Sequence, residues 1–221
     1  IRKHIDPVKA TPSSQVKIGT EPHESEQTTH YSVVDKMGNA VSVTYTLNGG
    51  YGAQIIAGDT GFLLNNEMDD FTSKVGVANM YGLVQGESNS IQPGKRPLSS
   101  MAPTIVTKDG KLFMVTGSPG GSRIITIVLE SILNVIDQKM DMKAAVNTPR
   151  IHHQWMPDTV YVEPNAVSPA VKKELEDRGY NFTENRNWGS AQAILIGARN
   201  GKRVLYGAND DRDVTSAAVG Y

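Results

Sequence analysis

The segment QTTHYS, residues 27–32, contains side chains that could support nucleophilic catalysis. A threonine hydroxyl is a poor nucleophile, and a chain that uses one takes its general base from the α-amino group of that same residue. That amine is released only when the preceding peptide bond is cut, so Gln27-Thr28 is a candidate processing site and Thr28 a candidate N-terminal nucleophile. Paired threonines are also typical of ordinary β-strands, and this segment by itself leaves both interpretations open.

A glycine-rich segment, GSPGGS at residues 117–122, opens a long apolar run. Backbone N–H groups at the start of a helix can donate to a developing oxyanion, which is one use of such a loop. The loop lacks the Gly-Lys followed by Ser or Thr that a nucleotide-binding P-loop requires. A plain strand-to-helix turn has the same composition, and this alternative also stays open.

Two polar clusters could bind the charged groups of a small molecule. Glu67, Asp69 and Asp70 could bind an ammonium group, whereas their spacing does not match a calcium loop and no histidine lies nearby, so no metal is expected. Ser99 and Ser100 could bind a carboxylate through two hydrogen bonds. Solvated surface is the alternative for the carboxylates, and ordinary loop chemistry for the serines.

The bulk composition excludes several classes of function. The 221 residues have a formal net charge of -1, 38% hydrophobic and 20% charged residues, so neither nucleic acid nor a membrane surface is indicated as a partner. The absence of cysteine excludes thiol catalysis and disulfides. No apolar run is long enough to span a membrane, and the start at Ile1 without a signal-like segment predicts a fragment or a processed product.

The elements that must position these residues begin at Thr28. Residues 1–27 are rich in Lys, Glu, Pro, Ser and Thr and are predicted to form an extended arm. Residues 30–35 and 40–47 alternate around a turn at 36–39, which predicts a hairpin. Because residues two apart share a strand face, this hairpin would return Thr46 and Asn48 to the side of Thr28.

The remaining pattern predicts a layered α/β domain with antiparallel sheets. Residues 73–97 lack periodicity, as is typical of a lid or binding loop. The all-round apolarity of 123–136 favours a buried helix. The other predicted elements are a short strand at 62–64, helices at 142–147 and 168–178, and hairpins at 104–115 and 191–206 around Asp109-Gly110 and Asn200-Gly201.

Taken together, several long motifs resemble the small catalytic subunit of bacterial γ-glutamyltranspeptidases. The resemblance runs from Thr28 to the C-terminal GANDDRDVTSAAVGY, with the arm before it similar to the tail of the large subunit. The motifs that carry it, in order, are TTHYSVVDKMGNAVSVTYTLN, GFLLNNEMDDF, NMYGLV, KRPLSSMAPTIV and GSPGGSRIITIVL.

This resemblance implies an α/β (α+β) fold, the four-layer αββα sandwich of N-terminal nucleophile hydrolases, and a γ-glutamyl transferase and hydrolase acting on glutathione and related amides. It implies autocatalytic cleavage at Gln27-Thr28, an obligate large-subunit partner from the same precursor, no cofactor, and a periplasmic or secreted location. The domain assignment is an arm at 1–27 and a catalytic domain at 28–221, incomplete without the large subunit.

The resemblance also assigns roles residue by residue. Thr28 would be the nucleophile, Thr46 its hydrogen-bonding partner, and Gly120 and Gly121 the oxyanion donors. The substrate α-amino group would be held by Asn48, Glu67 and Asp70, and the α-carboxylate by Ser99 and Ser100. Residues 75–86 would form a lid with Tyr81 as its gating aromatic. Two alternatives are a related acylase, such as a cephalosporin acylase, and a catalytically silent binding protein on the same fold.

Overall fold

A computed structural model describes residues 5–15, 28–185 and 188–220. The chain divides into two compact units. The first unit comprises Ile1–Glu24, Glu67–Ser99 and Pro149–Asn187, and the second comprises Ser25–Asn66, Ser100–Thr148 and Trp188–Tyr221.

A hairpin of β1 (Thr29–Val34) and β2 (Ala40–Tyr45) opens the second unit. The two strands are antiparallel, with Thr29 opposite Tyr45. The turn is stabilised by Asp35, whose carboxylate accepts hydrogen bonds from the backbone N–H (2.8 Å) and side-chain amide (2.7 Å) of Asn39. The predicted hairpin is therefore confirmed, and its turn chemistry explains where the strands end.

A four-stranded antiparallel sheet forms the centre of the second unit. Its order is β3 (Thr104–Lys108), β4 (Lys111–Gly117), β8 (Gln192–Arg199) and β9 (Lys202–Asn209). The two hairpin turns have positive φ at both central residues, 52° and 72° at Asp109 and Gly110 and 53° and 74° at Asn200 and Gly201. Asp-Gly and Asn-Gly pairs tolerate this conformation, which matches the twist of the flanking strands.

Both faces of this sheet are covered. Met114, Val115 and Thr116 are consecutive in β4 and each has 0% exposure, although neighbouring residues of a strand point to opposite faces. The β1–β2 hairpin contacts the sheet through β4 and β8, and α1 (Ile124–Ile136) and α2 (Met142–Asn147) contact it through β4, β8 and β9. The second unit thus stacks helices, a sheet and a second sheet, which confirms the α+β class with stacked antiparallel sheets.

The first unit contains a small mixed sheet and a long irregular segment. Its strands are β5 (Ile151–His152), β6 (Val160–Val162) and β7 (Phe182–Glu184), and α3 (Pro169–Asp177) connects β6 to β7. The hydroxyl of Ser168 caps α3 by accepting from the N–H of Val171 (3.3 Å). Residues 67–99 form loops with short 3-10 turns at Glu67–Asp70 and Glu87–Asn89.

Part of the predicted arm packs on this unit, and the rest, residues 1–4 and 16–27, lies outside the described residues. Asp158 accepts hydrogen bonds from the backbone N–H (2.9 Å) and hydroxyl (2.7 Å) of Ser13. The indole N–H of Trp155 donates to the Ser13 carbonyl (3.1 Å). Ser13 is therefore held by three specific hydrogen bonds.

Two expectations from the sequence are wrong, and one sheet was not predicted. Residues 62–64 form no strand; a loop ladder with a single bridge between Ile56 and Leu63 replaces it. The α1 helix is buried on one face only, because Ile125, Leu129 and Leu133 are 56%, 50% and 42% exposed. The sequence analysis did not predict the β5–β6–β7 sheet, in which the β6–β7 pair is parallel because α3 provides the crossover that parallel strands need.

The helices predicted at 142–147 and 168–178 are confirmed as α2 and α3. No helix in the ranges that the structure describes is long and apolar enough to cross a lipid bilayer.

Candidate active site

Thr28 and Thr46 meet at the open end of the β1–β2 hairpin. The hydroxyl of Thr28 donates to the Thr46 hydroxyl oxygen at 3.3 Å, and the N–H of Asn48 donates to that same oxygen at 2.9 Å. The register that pairs Thr29 with Tyr45 produces this approach, since it aligns the residues just beyond each strand. The Thr28 hydroxyl therefore has a defined partner. Gln27, the other half of the predicted processing site, lies outside the described residues.

Asn48 is buried, 3% exposed, and adopts a left-handed backbone conformation with φ of 73°. Its side-chain amide donates to the Asn66 carbonyl (3.2 Å), while the Asn66 side-chain oxygen accepts from the N–H of Gly49 (2.8 Å). These reciprocal contacts fix the turn after β2, and they thereby fix the N–H that reaches Thr46.

His30 lies behind Thr28 on the inward face of β1. Burial lowers the pKa of His30 to about 4, so its imidazole is neutral at pH 7. Its Nε2 lies 3.1 Å from the hydroxyl of Ser32, and that hydroxyl donates to the Gln192 carbonyl (3.2 Å). Because the single Ser32 hydroxyl proton is donated to the Gln192 carbonyl, the Ser32 oxygen must accept from His30, so Nε2 carries the ring proton. The other ring nitrogen, Nδ1, then accepts from the Thr44 hydroxyl (2.9 Å).

The His30 ring also packs on the backbone of Gly117 at the end of β4. A Cβ added at Gly117 would lie 2.1 Å from Cε1 of His30, so only glycine fits there. The 118–121 loop follows Gly117 directly, whereas Thr28 precedes His30 by two residues. This contact therefore brings the start of the hairpin and the glycine loop to the same edge of the stacked sheets.

The glycine loop enters α1 through a 3-10 turn at Gly121–Arg123. Gly120 and Gly121 have φ of 139° and 55°, conformations that favour glycine. The first N–H groups of a helix have no intrahelical acceptor, so this loop suits an anion. The hydroxyl of Ser100 donates to the Gly121 carbonyl (3.0 Å), which ties the predicted carboxylate-binding serine to the loop.

Glu67 and Asp70 belong to the first unit and share one 3-10 turn. Burial, together with the charge of Asp70 and a hydrogen bond to it, raises the pKa of Glu67 to about 7. Burial likewise raises the pKa of Asp70, and the charge of Asp69 adds to the increase. Two half-buried carboxyls that resist joint ionisation suit a cationic ligand, whose charge would favour their ionised forms.

The segment predicted as a lid is a compact loop in the first unit. Ala78 and Val84 form a bridge, and the side chain of Asn79 accepts from the N–H groups of Tyr81 and Leu83, both at 3.0 Å. Tyr81 is 6% exposed. Asp69 accepts from the N–H of Met80 at 2.9 Å, which ties this loop to the acidic turn.

The second unit brings six predicted site residues into its own framework: Thr28, Thr46, Asn48, Ser100, Gly120 and Gly121. The other four, Glu67, Asp70, Tyr81 and Ser99, belong to the first unit. His30, whose ring packs on Gly117 beside the glycine loop, was missed from the sequence. The position of His30 two residues after Thr28, on the same strand face, is the one signal that could have indicated its role.

In the part of the chain that the structure describes, no cluster of three or more His, Asp or Glu side chains could hold a metal ion. The arrangement offers a hydroxyl with a defined partner and a helix N-terminus suited to an anion. It also offers a paired carboxyl turn. Within the second unit, the hydroxyl and the helix N-terminus are typical of acyl transfer, and the carboxyl turn of the first unit by itself suits a cation.

A family model described as gamma-glutamyltranspeptidase matches residues 1–220. The chain is 57% identical over 227 residues to a glutathione hydrolase proenzyme of Pseudomonas sp. (strain A14) and 54% identical over 222 residues to that of Escherichia coli K12. Each alignment covers 100% of this chain and 40% and 38% of the relatives, so the chain spans about two fifths of the length of these curated relatives.

Solved structures give the same result. The gamma-glutamyltranspeptidase T380A mutant of Helicobacter pylori aligns with a TM-score of 0.81 and 51% identity, covering 84% of this chain and 100% of the other. The enzyme of Pseudomonas nitroreducens complexed with L-DON gives 0.78 and 45%, covering 87% and 100%. A cephalosporin acylase from Bacillus halodurans, 23% identical with a TM-score of 0.73, covers 96% of this chain and 35% of its own and shares the fold alone.

Proposed function

The chain belongs to the γ-glutamyltranspeptidase family, and on that premise we propose that it is the catalytic part of a γ-glutamyl transferase and glutathione hydrolase. The observation that carries the proposal is the Thr28–Thr46 hydroxyl pair at the sheet edge that also bears the Gly120–Gly121 loop. The relatives at 57% and 54% identity are called glutathione hydrolase proenzymes, which supports both the substrate class and a self-cleaving precursor.

Self-cleavage would use the same hydroxyl as turnover. Oγ1 of Thr28 attacks the Gln27 carbonyl, the peptide C–N bond breaks, and the Thr28 nitrogen takes up the proton. Water then hydrolyses the resulting ester, which leaves Thr28 with a free α-amine. Thr46, held by the N–H of Asn48, orients the attacking hydroxyl in both reactions.

In turnover, the Thr28 α-amine accepts the proton from Oγ1 as that oxygen bonds to the γ-carbonyl carbon of the donor. The N–H groups of Gly120 and Gly121 stabilise the oxyanion. The amine then passes the proton to the leaving nitrogen, and a γ-glutamyl ester remains on Thr28. Water or an acceptor amine attacks this ester and releases glutamate or a new γ-glutamyl amide.

Substrate recognition is proposed for the polar residues that match the binding residues of the family. Glu67 and Asp70 would pair with the α-ammonium group of the donor together with the Asn48 side chain, and the raised pKa of Glu67, about 7, supports a site tuned to a cation. Ser99 and Ser100 would bind the α-carboxylate. Residues 75–86 would close over the donor, with Tyr81 as the gating aromatic.

The partner we propose is the rest of the same precursor, the large subunit, to which residues 1–27 belong as its tail and without which the domain at 28–221 is incomplete. The share of the relatives that this chain spans, 40% and 38%, supports a larger whole. An exposed apolar surface on the second unit also supports it: Tyr31, Val33, Val41 and Tyr45 lie on the outward face of the β1–β2 hairpin.

A periplasmic or secreted location is part of the proposal and is supported by the family alone. A cephalosporin-type acylase is not proposed. The family match and the relatives at 57% and 54% identity support the γ-glutamyl reaction, whereas the acylase is 23% identical and shares the fold alone.

The experiment is hydrolysis of γ-glutamyl-p-nitroanilide by the full-length precursor and two variants. Thr28→Ala should abolish both self-cleavage and p-nitroaniline release, because it removes the attacking oxygen. Thr29→Ala is the matched control, since its side chain is exposed on the opposite face of β1, and it should keep both. Normal turnover by Thr28→Ala would contradict the proposed nucleophile.

A further inference from the structure

Two hydrogen bonds meet at the Ser118 hydroxyl, just before the proposed oxyanion glycines, and the second of them ends on the Pro119 carbonyl. The N–H of Ser190 donates to the Ser118 hydroxyl oxygen at 3.1 Å, and the Ser118 hydroxyl donates to the Pro119 carbonyl at 2.6 Å. Ser118 has 0% and Ser190 5% exposure, so bulk water does not compete for these groups. These two hydrogen bonds form a buried relay from Ser190, which lies two residues before β8, to the glycine loop.

The direction of this relay is unambiguous. A backbone N–H can only donate, so the Ser118 oxygen accepts from Ser190. The single proton of Ser118 is then directed to the Pro119 carbonyl oxygen. The Ser118 hydroxyl is thereby held in one orientation by the Ser190 N–H and the Pro119 carbonyl.

The relay also sets the direction of the Gly120 N–H. In a trans peptide the carbonyl and the following N–H point in opposite directions, so holding the Pro119 oxygen toward Ser118 turns the Gly120 N–H away from it. Gly189 closes the carbonyl side: a Cβ added there would lie 2.7 Å from the Pro119 oxygen and 2.4 Å from Cδ1 of Ile127. The Pro119–Gly120 peptide therefore packs against Gly189, where no larger side chain fits.

The second donor is set by different groups. The Gly120 carbonyl accepts from the N–H of Arg123 at 3.0 Å in the 3-10 turn, and this bond fixes the opposite N–H, that of Gly121. The Gly121 carbonyl accepts from Ser100 at 3.0 Å. Ser118 therefore governs one of the two proposed donors and leaves the other to the helix turn.

We propose that Ser118 is a positioning residue for acyl transfer, which holds the Pro119–Gly120 peptide so that the Gly120 N–H faces the oxyanion. The inference rests on the proposed function, because it takes Gly120 as an oxyanion donor. Without the Ser118 hydroxyl the Pro119 oxygen loses its donor, and a rotated peptide presents that oxygen, instead of an N–H, to the developing negative charge.

The test compares Ser118→Ala with Ser131→Ala in the full-length, self-cleaved enzyme. Ser131 is the matched control: it is 2% exposed in the same unit, and its hydroxyl donates to the Ile127 carbonyl (2.8 Å) within α1. We expect Ser118→Ala to lower kcat on γ-glutamyl-p-nitroanilide about 10- to 100-fold with KM nearly unchanged, somewhat less than removing a donor outright. Ser131→Ala should keep kcat within about 2-fold, since it removes an equally buried hydroxyl without touching the loop.

Binding provides a readout that a loss of stability alone does not change. A boronic acid analogue of the γ-glutamyl group forms a tetrahedral anion on the nucleophile, whereas L-glutamate does not. Ser118→Ala should weaken the boronate by about the same factor as kcat/KM and leave glutamate affinity unchanged. Equal weakening of both ligands, or an unchanged kcat, would overturn the proposal.

Ser118→Cys is the second variant, in which a weak donor replaces a strong one, and its kcat should fall between those of the wild type and Ser118→Ala. If neither variant folds while Ser131→Ala does, Ser118 is a structural residue and the proposal is rejected. If the wild type is active, Thr28→Ala is inactive and Ser118→Ala is fully active, the result refutes this inference and leaves the proposed function in place. Activity in Thr28→Ala refutes the proposed function itself.

Discussion

In the proposed site, Glu67 is the side chain whose ionisation would link donor binding to pH. Its pKa is raised to about 7 by burial and by the charge of Asp70, so in the free protein this carboxyl is half protonated near neutrality. A bound ammonium group favours the ionised form. In the proposed site, donor binding would therefore release a proton below pH 7, and affinity would rise with pH until Glu67 is already ionised in the free protein.

The corresponding prediction concerns the pH dependence of KM for a γ-glutamyl donor. Between about pH 6 and 8, wild-type KM should fall as pH rises, because fewer protons have to leave Glu67. Glu67→Gln cannot titrate and should show a higher KM that is flat across that window. Steady-state kinetics at several pH values provides the comparison, and an equal slope in both proteins would contradict the assignment.

At the scale of residues, the sequence predicted which side chains lie close together better than it predicted their protonation states and hydrogen-bond partners. Strand parity was sufficient to bring Thr46 back to Thr28. The raised pKa of Glu67 could not be predicted, because it depends on how far a 3-10 turn buries two carboxyls. The same limit applies to Ser118, whose partner Ser190 lies 72 residues away in the chain.

At the scale of elements, the contact between His30 and Gly117 joins the hairpin to the central sheet. The imidazole is neutral, hydrogen-bonded at both nitrogens, and packed where a Cβ on Gly117 would lie 2.1 Å away. The contact fixes the spacing between the strand that follows Thr28 and the strand that leads to the glycine loop.

Gly117→Ala should therefore lower both stability and activity. Forcing a methyl group into a packed contact costs about 1–3 kcal/mol, and relief by backbone movement would displace the loop. For stability, Gly86→Ala is the control, because a Cβ there meets no atom within 4 Å. Chemical denaturation measures the free energy of unfolding.

A double-mutant cycle sharpens this prediction. In a His30→Ala background the steric conflict disappears, so the added cost of Gly117→Ala should fall well below its cost in the wild type. Strictly additive costs would show that the two residues do not interact.

Turn chemistry explains which elements were predictable. Asp109-Gly110 and Asn200-Gly201 adopt the positive φ values that their residue types favour, and the hairpins around them are confirmed. The strand predicted at 62–64 was wrong because three apolar residues are too few to show the periodicity that distinguishes a strand from a loop. The β5–β6–β7 sheet was missed because its strands have only 2 or 3 residues.

At the scale of the whole molecule, the second unit exposes apolar surface on two elements. One is the outward face of the hairpin, where Val33 and Tyr45 are 51% and 62% exposed. The other is α1, where Ile125 and Leu129 are 56% and 50% exposed. The sequence predicted α1 as buried all round; an apolar pattern shows that a helix face avoids water, but it does not show which surface covers that face.

A charge on the hairpin face should disrupt assembly. Val33→Asp in the full-length precursor should reduce the yield of self-cleaved enzyme several-fold, because a carboxylate would be buried against the proposed partner surface. Met37→Asp is the control, since Met37 is 77% exposed in the turn of the same hairpin and lies outside that face. Gel analysis of cleavage provides the readout, and equal yields would argue against this surface as the interface.

The central claim is that Thr28 becomes an N-terminal nucleophile and carries the γ-glutamyl group. Mass spectrometry of the purified full-length enzyme, acid-quenched during turnover of γ-glutamyl-p-nitroanilide, tests it most directly. The account predicts two chains, the smaller beginning at Thr28 and bearing one γ-glutamyl ester on that residue. An active enzyme with an intact Gln27-Thr28 bond, or with the acyl group on another residue, would contradict it.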